Sequence, residues 1–373
     1  MNAFCTAPFV GIVVDPMLNI QMCCSDTTRH FKTNLKNVHS LRNFFYSSSQ
    51  YQKLRADVNK YSLAEFKPCS NCHIAKDGFT SEMDAFNKKF PNPYPIKLRY
   101  LEVTTSNVCT QTCVMCVPLY SSALVKLRGE GQVVSMTDED LRKIFEVLPD
   151  LETLTIKGGE PFADQKNLKI LEELYKVNPT ISNVTIVSNG THIPIKFQEM
   201  LAKFKNIELS ISVDGVDEVY QWHRGSPYSK TVDSLNKFYH NTSIAYSIQS
   251  VVTVYNLPSI SNNAKRYFKD FIGLRNVNNS NIVMDPPYVS PRLYNDNDLF
   301  YMCGNVRFNQ NIVCPEYNLG IDKIVSYSLE DLQMYHPKFK THTDFYNKVR
   351  GFNILDYVPE AKALYDNYGY LND

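Results

Sequence analysis

Apolar and polar positions alternate with two different periods between residues 97 and 290, and the two periods take turns along the chain. Runs with a period of two predict strands, and longer runs with apolar residues three and four positions apart predict helices. The predicted strands cover residues 97–104, 151–156, 183–187, 206–213, 247–255 and 281–284. The predicted helices cover residues 41–58, 138–148, 167–177 and 195–205. Strands that alternate with helices indicate βαβ units, and therefore an α/β fold with a parallel sheet.

The same pattern divides the chain into three regions. Residues 1–90 carry short apolar runs broken by polar segments, and the end of this region (FPNPYP) holds three prolines in six positions, which predicts a linker. Residues 97–290 hold about six βαβ units, too few for a closed eight-stranded barrel. Residues 291–373 turn irregular and then become helical from Leu329. We therefore expect three domains with these boundaries.

Residues that could bind a ligand or take part in catalysis lie where the predicted strands end. A cysteine-rich loop at residues 109–116 follows the first strand, Gly158-Gly159-Glu160-Pro161 follows the second, and Ser188-Asn189-Gly190 follows the third. Ser212 and Asp214 close the fourth. In a parallel α/β barrel the carboxyl ends of the strands form the rim that carries the active site. We expect these segments to converge on one rim.

Composition excludes several classes of protein. Lys and Arg total 39 and Asp and Glu 38, so the net charge of +1 gives no general attraction to nucleic acid or to an anionic membrane. The hydrophobic share of 43% and the aromatic share of 12% exclude a disordered chain. No apolar stretch approaches the roughly 18 to 20 residues that span a bilayer, and the early run Phe9–Val14 lacks the basic flank of a signal peptide. We expect a soluble, cytoplasmic protein with neither membrane nor nucleic acid as partner.

Cysteine usage is the informative part of the composition. Ten cysteines in 373 residues are too sparse for a disulfide scaffold, and clustered thiols in a reducing compartment point to metal or catalysis. Three of them, Cys109, Cys113 and Cys116, lie within eight residues. Thiolates select zinc or iron–sulfur clusters, and structural zinc takes four protein ligands. Three close cysteines without a nearby fourth therefore favour a four-iron cluster in which one iron has a different ligand.

The C-x3-C-x2-C loop after the first predicted strand resembles the signature of the radical S-adenosylmethionine (SAM) superfamily, and the resemblance covers residues 97–290. It implies a partial (β/α)6 parallel barrel, a [4Fe–4S] cluster on Cys109, Cys113 and Cys116, and SAM bound to the open iron. One-electron reduction by a partner such as flavodoxin or ferredoxin would cleave SAM to methionine and a 5′-deoxyadenosyl radical, which takes a hydrogen from the substrate. Met115 stands where the family usually has an aromatic residue, and we expect this departure to alter packing but not activity.

The resemblance also implies SAM-binding residues. Gly158-Gly159-Glu160-Pro161 resembles the family's GGEP segment, which meets the SAM amino group, and glycine lets a backbone approach a ligand closely. Asn189 fits the position near the ribose. Ser212 resembles the polar residue of the fourth strand, and Arg224 resembles the arginine that pairs with the SAM carboxylate. For these last three residues an ordinary turn or capping role stays open.

A second cysteine pattern lies in the first region. Its four soft ligands are Cys5, Cys24, Cys69 and Cys72, and by itself this set fits zinc as well as an iron–sulfur cluster. The spacing resembles the SPASM/twitch modules of radical SAM enzymes, although Asn19 replaces the usual glycine and the module precedes the barrel. The resemblance implies one auxiliary [4Fe–4S] cluster within residues 1–90. Cys23 is the alternative to Cys24, and zinc stays open.

The two cysteine patterns together imply a radical SAM enzyme with one auxiliary cluster. Such clusters accompany peptide or protein modification in the family, so a peptide or protein is the first expected substrate, and a small molecule or nucleotide is the second. A catalytically silent zinc-binding scaffold is the alternative from a different class. Cys303 and Cys314 are interpreted as ordinary thiols, and the loop at residues 285–288 is a candidate substrate-facing segment.

Overall fold

The structure is a computed structural model that describes residues 5–24, 26, 30–60, 82–283, 286–302, 324 and 326–366. Four of the ten cysteines, Cys69, Cys72, Cys303 and Cys314, lie outside these residues. The chain forms two compact units, each of the α/β type with parallel strands. The first unit comprises Met1–Thr110, Pro118–Ser188 and Pro194–Glu208, and the second comprises Gln111–Val117, Asn189–Ile193 and Leu209–Asp373.

The strands of the first unit are β1 (Gly11–Val14), β2 (Asn19–Gln21), β3 (Thr33–Asn34), β4 (Tyr100–Val103), β5 (Thr153–Ile156) and β6 (Asn183–Ser188). They lie in the order β3-β2-β1-β4-β5-β6. β1, β4, β5 and β6 are parallel, and β2 and β3 add an antiparallel edge. All four residues of β1 are buried, as expected of a parallel strand covered on both faces. The N-terminal region thus contributes a strand beside the first predicted barrel strand, and the predicted boundary at residues 90–97 stays a prediction.

The helices of the first unit are α1 (Ala7–Val10), α2 (Leu41–Ser47), α3 (Ser49–Lys60), α4 (Glu82–Lys89), α5 (Ser122–Arg128), α6 (Asp138–Phe145), α7 (Gln165–Val177) and α8 (Ile195–Leu201). The helix predicted at residues 41–58 is two helices, because Ser48 adopts an extended conformation and ends α2. Thr137 is the N-cap of α6 and forms a capping box with Asp140.

The second unit carries β7 (Ile207–Ser212), β8 (Tyr246–Val252) and β9 (Leu274–Ile282), which are parallel and lie in that order. Its helices are α9 (Asp217–Arg224), α10 (Tyr228–Thr242), α11 (Ile260–Asp270), α12 (Leu329–Arg350) and α13 (Pro359–Asp366). The sixth strand was predicted at residues 281–284 and instead begins at Leu274, because its sequence (LRNVNNSNI) is too polar to show strand alternation. In the described part of the chain, no helix is both long and apolar enough to cross a membrane.

The core of the second unit brings α9 and α12 together around the one tryptophan of the chain, Trp222. Its fully buried ring lies 4.4 Å from that of Tyr255 and 6.0 Å from that of Tyr346, measured between centroids. Its Nε1 donates a hydrogen bond of 2.9 Å to Asn347 Oδ1. Because aromatic burial dominates core energetics, this cluster fixes α12 against α9 beside the cysteine loop.

Candidate functional site

The Gly158-Gly159 pair lies where the chain leaves β5. Steric contacts explain why both residues are glycine. A Cβ on Gly159 would come within 2.2 Å of the Val108 carbonyl oxygen, and one on Gly158 within 2.3 Å of Thr104 Cγ2. Gly158 also has a φ of +132°, which other residues rarely adopt. The Glu160 amide donates a 2.7 Å hydrogen bond to the Val108 carbonyl. The glycines therefore let this turn pack against the segment that leads into the cysteine loop.

Glu160 follows the glycines as a buried carboxylate with a fixed orientation. Its Oε1 accepts hydrogen bonds from the Phe162 amide at 3.0 Å and from Ser188 Oγ at 2.8 Å. Ser188 ends β6, so the two strand ends predicted to meet do meet within the first unit. A carboxylate fixed in this way is a suitable partner for an amino group.

The first cysteine of the loop, Cys109, belongs to the first unit and is half-buried. Its amide donates a 3.1 Å hydrogen bond to Ser122 Oγ at the start of α5. Thr105 and Ser106, which precede Cys109 in the chain, are hydrogen-bonded to the N-terminus of α7. Thr105 Oγ1 and Ser106 Oγ donate to Asp164 Oδ2 at 2.8 and 2.6 Å. Burial would raise the pKa of Asp164, but these hydrogen bonds and that of the Lys166 amide outweigh it, and the pKa is lowered. Asp164 therefore stays ionised and holds the segment before Cys109.

The other two loop cysteines, Cys113 and Cys116, belong to the second unit and share a tight turn, in which the Cys116 amide donates to the Cys113 carbonyl at 3.1 Å. The Val114 amide between them donates to the His223 carbonyl at 2.9 Å. Cys113 is buried, and Arg224 Nη1 donates to its sulfur at 3.6 Å. Burial raises the pKa of the Cys113 thiol more than Arg224 lowers it.

Arg224 is almost fully buried and is held by Asp214, with 2.5 Å between Nη2 and Oδ2. Burial opposes its charge, but Asp214 outweighs burial, so the pKa of the guanidinium is raised and it stays cationic. Within the described residues its Nε has no hydrogen-bond partner. A buried N–H without a hydrogen-bond partner destabilises the fold by about 1 to 3 kcal/mol. This N–H is therefore suited to an anionic ligand such as a carboxylate.

The two remaining predicted SAM residues also lie in the second unit. Asn189 is buried, and its Oδ1 accepts hydrogen bonds from the Thr191 amide at 2.9 Å and from Thr191 Oγ1 at 2.7 Å. This is the turn role that the sequence had left open for Asn189. Ser212 ends β7 opposite Gln249 of β8 and is half-buried. A SAM-binding role for either residue stays a prediction.

Sequence reasoning missed a buried polar network behind Arg224. His223 is fully buried, with 2.8 Å between Nε2 and Thr253 Oγ1 and 2.8 Å between Nδ1 and the Val219 carbonyl. Burial lowers the pKa of His223 to about 4, so the ring is neutral at physiological pH. Thr253 carries no spacing signal, because it reaches His223 through the turn after β8.

In the first unit, Lys157 directly precedes the glycine pair and pairs with the buried Glu102 of β4, with 2.6 Å between Nζ and Oε1. Tyr100 donates to Glu102 Oε2 at 3.1 Å. Burial would lower the pKa of Lys157, but Glu102 outweighs it and the pKa is raised, with Cys24 contributing in the same direction. Cys24 is half-buried and Cys23 is buried. Which of the two is a metal ligand stays a prediction.

The two predicted metal ligand sets stay predictions. Cys5 and Cys24 are described, and their partners Cys69 and Cys72 are not. Across the described ranges, no group of three or more His, Cys, Asp or Glu side chains is placed to hold a metal ion. The donor chemistry of the loop, three cysteines with an arginine on the buried one, suits an anionic thiolate cluster.

Comparison with known proteins identifies the central part of the chain. Residues 103–258 match the family model described as the Radical SAM superfamily. A GTP 3′,8-cyclase from Desulforamulus reducens is 26% identical over 119 residues, which are 31% of this chain and 34% of the relative. The chain thus aligns with about a third of the length of that curated relative.

Two of the solved structures that match this chain hold ligands. SuiB from Streptococcus suis bound to precursor peptide SuiA has 17% identity and a TM-score of 0.41, covering 79% of this chain and 64% of that chain. The protein anSMEcpe with bound AdoMet has 22% identity and a TM-score of 0.41, covering 69% of this chain and 60% of that chain. Residues 103–258 of this chain, less than half of its length, thus match a radical SAM superfamily domain.

Proposed function

We propose that this chain is a radical SAM enzyme whose [4Fe–4S] cluster is held by Cys109, Cys113 and Cys116. The observation that carries the proposal is the C-x3-C-x2-C loop directly after β4, inside the matched domain. When bound, the cluster and SAM would supply a 5′-deoxyadenosyl radical that takes a hydrogen atom from the substrate. The protein's part is to hold the reactants and to exclude water.

Each residue of the proposed SAM site has a distinct task. Arg224 would bind the SAM carboxylate, and its unsatisfied buried Nε supports this role. Glu160 and the backbone carbonyls of Gly158 and Gly159 would bind the amino group. Asn189 would contact the ribose, and Ser212 would contact the ribose or the carboxylate, as the resemblance to the family implies. Asp214 would keep the Arg224 guanidinium oriented through their ion pair.

We further propose one auxiliary [4Fe–4S] cluster on Cys5, Cys24, Cys69 and Cys72. Support comes from the spacing of these cysteines. Zinc at this site is the alternative that metal analysis would reveal.

The proposed substrate is a peptide or protein, and the proposed electron donor is a flavodoxin or ferredoxin. The substrate class rests on the resemblance of the N-terminal cysteine spacing to SPASM/twitch modules. The similarity to a GTP 3′,8-cyclase supports a nucleotide as the second class. Formation of 5′-deoxyadenosine in the presence of GTP or of a peptide pool separates the two, because a true substrate accelerates SAM cleavage. Acceleration by GTP alone would replace the peptide proposal.

The test of the enzyme proposal is anaerobic reconstitution with iron and sulfide, followed by addition of dithionite and SAM. We expect about eight irons per chain, two four-iron clusters, together with 5′-deoxyadenosine. The variant with Cys109, Cys113 and Cys116 all changed to Ala should keep about four irons and cleave no SAM. About four irons with SAM cleavage in the wild type would assign the N-terminal site to zinc or to no metal. A wild type with neither iron nor 5′-deoxyadenosine would contradict the proposal and favour the zinc scaffold.

A further inference from the structure

The last residue of α12, Arg350, contacts the cysteine loop directly. Its Nη1 donates to Thr112 Oγ1 at 2.9 Å, and its Nη2 donates to the Thr112 carbonyl at 2.7 Å. Its Nε donates to the Trp222 carbonyl in α9 at 3.0 Å. One guanidinium thus joins three elements of the second unit through three donors, and Thr112 is the residue before the buried ligand candidate Cys113.

The place that Arg350 occupies is shaped for a guanidinium. Gly225 ends α9 with a φ of +76°, and a Cβ there would come within 2.9 Å of Arg350 Cζ and 2.7 Å of Thr112 Oγ1. The guanidinium carbon also lies 5.2 Å from the centre of the Tyr346 ring. The guanidinium therefore has room on one side only because residue 225 is glycine, and on another side it faces the aromatic ring of Tyr346.

A second residue of α12 holds the other side of Cys113. His342 is buried, and its Nε2 lies 3.0 Å from the Val114 carbonyl oxygen. Thr112 and Val114 flank Cys113, so α12 fixes the backbone on both sides of that cysteine. Two separate side chains of α12 thus contact the residues on either side of Cys113.

The charge of Arg350 has no carboxylate partner in the described part of the chain, since all three of its acceptors are uncharged oxygens. Burial lowers the pKa of Arg350, and its hydrogen bonds hold Thr112, the residue next to Cys113. A partly buried cation without a counter-charge is costly. Thiolates bound to iron at this loop would supply the missing negative charge.

We infer that Arg350 is a positioning residue for the cluster of Cys109, Cys113 and Cys116, which it serves by fixing Thr112 and by compensating thiolate charge. The inference rests on the proposed function. It makes the helix at residues 329–350 part of the cluster site, although its sequence lies more than two hundred positions from the cysteines.

The test compares Arg350→Gln, Arg350→Lys and the exposed neighbour control Lys348→Gln, each in a chain with Cys69 and Cys72 changed to Ala, so that one cluster remains. We expect Arg350→Gln to lose iron to a chelator about tenfold faster or more, as residues behind metal ligands typically do. Its cluster should also have a more negative reduction potential by EPR-monitored titration. Arg350→Lys should keep the potential but lose iron at an intermediate rate, and Lys348→Gln should match the parent.

The fluorescence emission of Trp222 distinguishes a local effect at the cluster from detachment of α12, because Trp222 lies in α9 and is hydrogen-bonded to α12. We expect its emission maximum to stay unchanged in both Arg350 variants, measured without iron. A red-shifted maximum together with lost iron would mean that α12 has detached and would overturn the positioning role. Iron retention and potential like those of the parent in Arg350→Gln would also overturn it, while a parent chain without iron would instead refute the proposed function.

Discussion

At the scale of single residues, the closest approach at the proposed SAM site lies between two stretches of backbone. A Cβ at Gly159 would lie 2.2 Å from the Val108 oxygen and 2.6 Å from its carbonyl carbon, and neither atom belongs to a side chain that could rotate away. We predict that Gly159→Ala lowers the free energy of unfolding by about 1 to 3 kcal/mol, the usual cost of overpacking. It should also abolish SAM binding, measured by calorimetry.

The control for this prediction is Gly129→Ala. Gly129 has a φ of +69° but no heavy atom within 4 Å of an added Cβ, so the variant carries a conformational cost of about 1 to 2 kcal/mol and no clash. It should bind SAM like the wild type. Normal SAM binding by Gly159→Ala would show that the approach to Val108 is not needed for the site.

His223 gives a prediction about acid stability. Burial lowers its pKa from 6.5 to about 4, so between these values the unfolded chain binds a proton that the folded chain does not. Its stabilising contribution is present above pH 6.5 and is lost as the pH falls toward 4, by about 3 kcal/mol in total. Urea unfolding at several pH values should show a shallower loss for His223→Gln than for the wild type. Parallel curves would mean that His223 is not the titrating group.

At the scale of helices and strands, the apolar pattern located five of the six predicted strands closely. β4, β5, β6, β7 and β8 begin and end within three residues of the predicted positions, because each has a clear two-residue period. β9 was misplaced, since its Asn-rich sequence hides the period. β1 was not recognised as a strand, because a short run that is apolar on both faces does not reveal its structure by periodicity.

The candidate site was predictable only where residues close in sequence carry it. The cysteine spacing and the glycine pair can be recognised locally, and so can Thr137 as a helix start. The contacts of Arg350 and His342 with residues 112 and 114 span 238 and 228 positions. No local period or motif reports such a contact, because it depends on how α12 packs against Trp222.

The capping box of α6 gives a prediction at this scale. Thr137 Oγ1 accepts from the Asp140 amide at 3.2 Å, and Asp140 Oδ2 accepts from the Thr137 amide at 2.9 Å. Thr137→Ala leaves the Asp140 amide unpaired and should cost about 1 kcal/mol in chemical denaturation. Thr137→Ser keeps the hydroxyl and should be nearly neutral. Equal losses in both variants would assign the effect to packing of the methyl group.

At the scale of the whole molecule, several independent contacts join the N-terminal region to the rest of the first unit. β1 is hydrogen-bonded in parallel to β4, with Gly11 opposite Tyr100 and Val14 opposite Val103. Arg42 Nη1 lies 2.6 Å from Asp150 Oδ2, and the buried Lys143 Nζ donates to the Leu35 carbonyl at 3.2 Å. These contacts connect residues that the sequence pattern had assigned to two separate domains.

We therefore predict that a shortened chain of residues 97–373 does not fold on its own. Loss of β1 would expose the edge of β4 and the apolar faces beside it, which favours aggregation. We expect no cooperative unfolding transition for this chain by circular dichroism. Ile12→Ala in the full chain is the graded counterpart, because Ile12 is fully buried in β1 and its truncation should cost about 2 to 5 kcal/mol. A shortened chain with a cooperative transition, together with a nearly neutral Ile12→Ala, would instead establish residues 1–90 as an independent module.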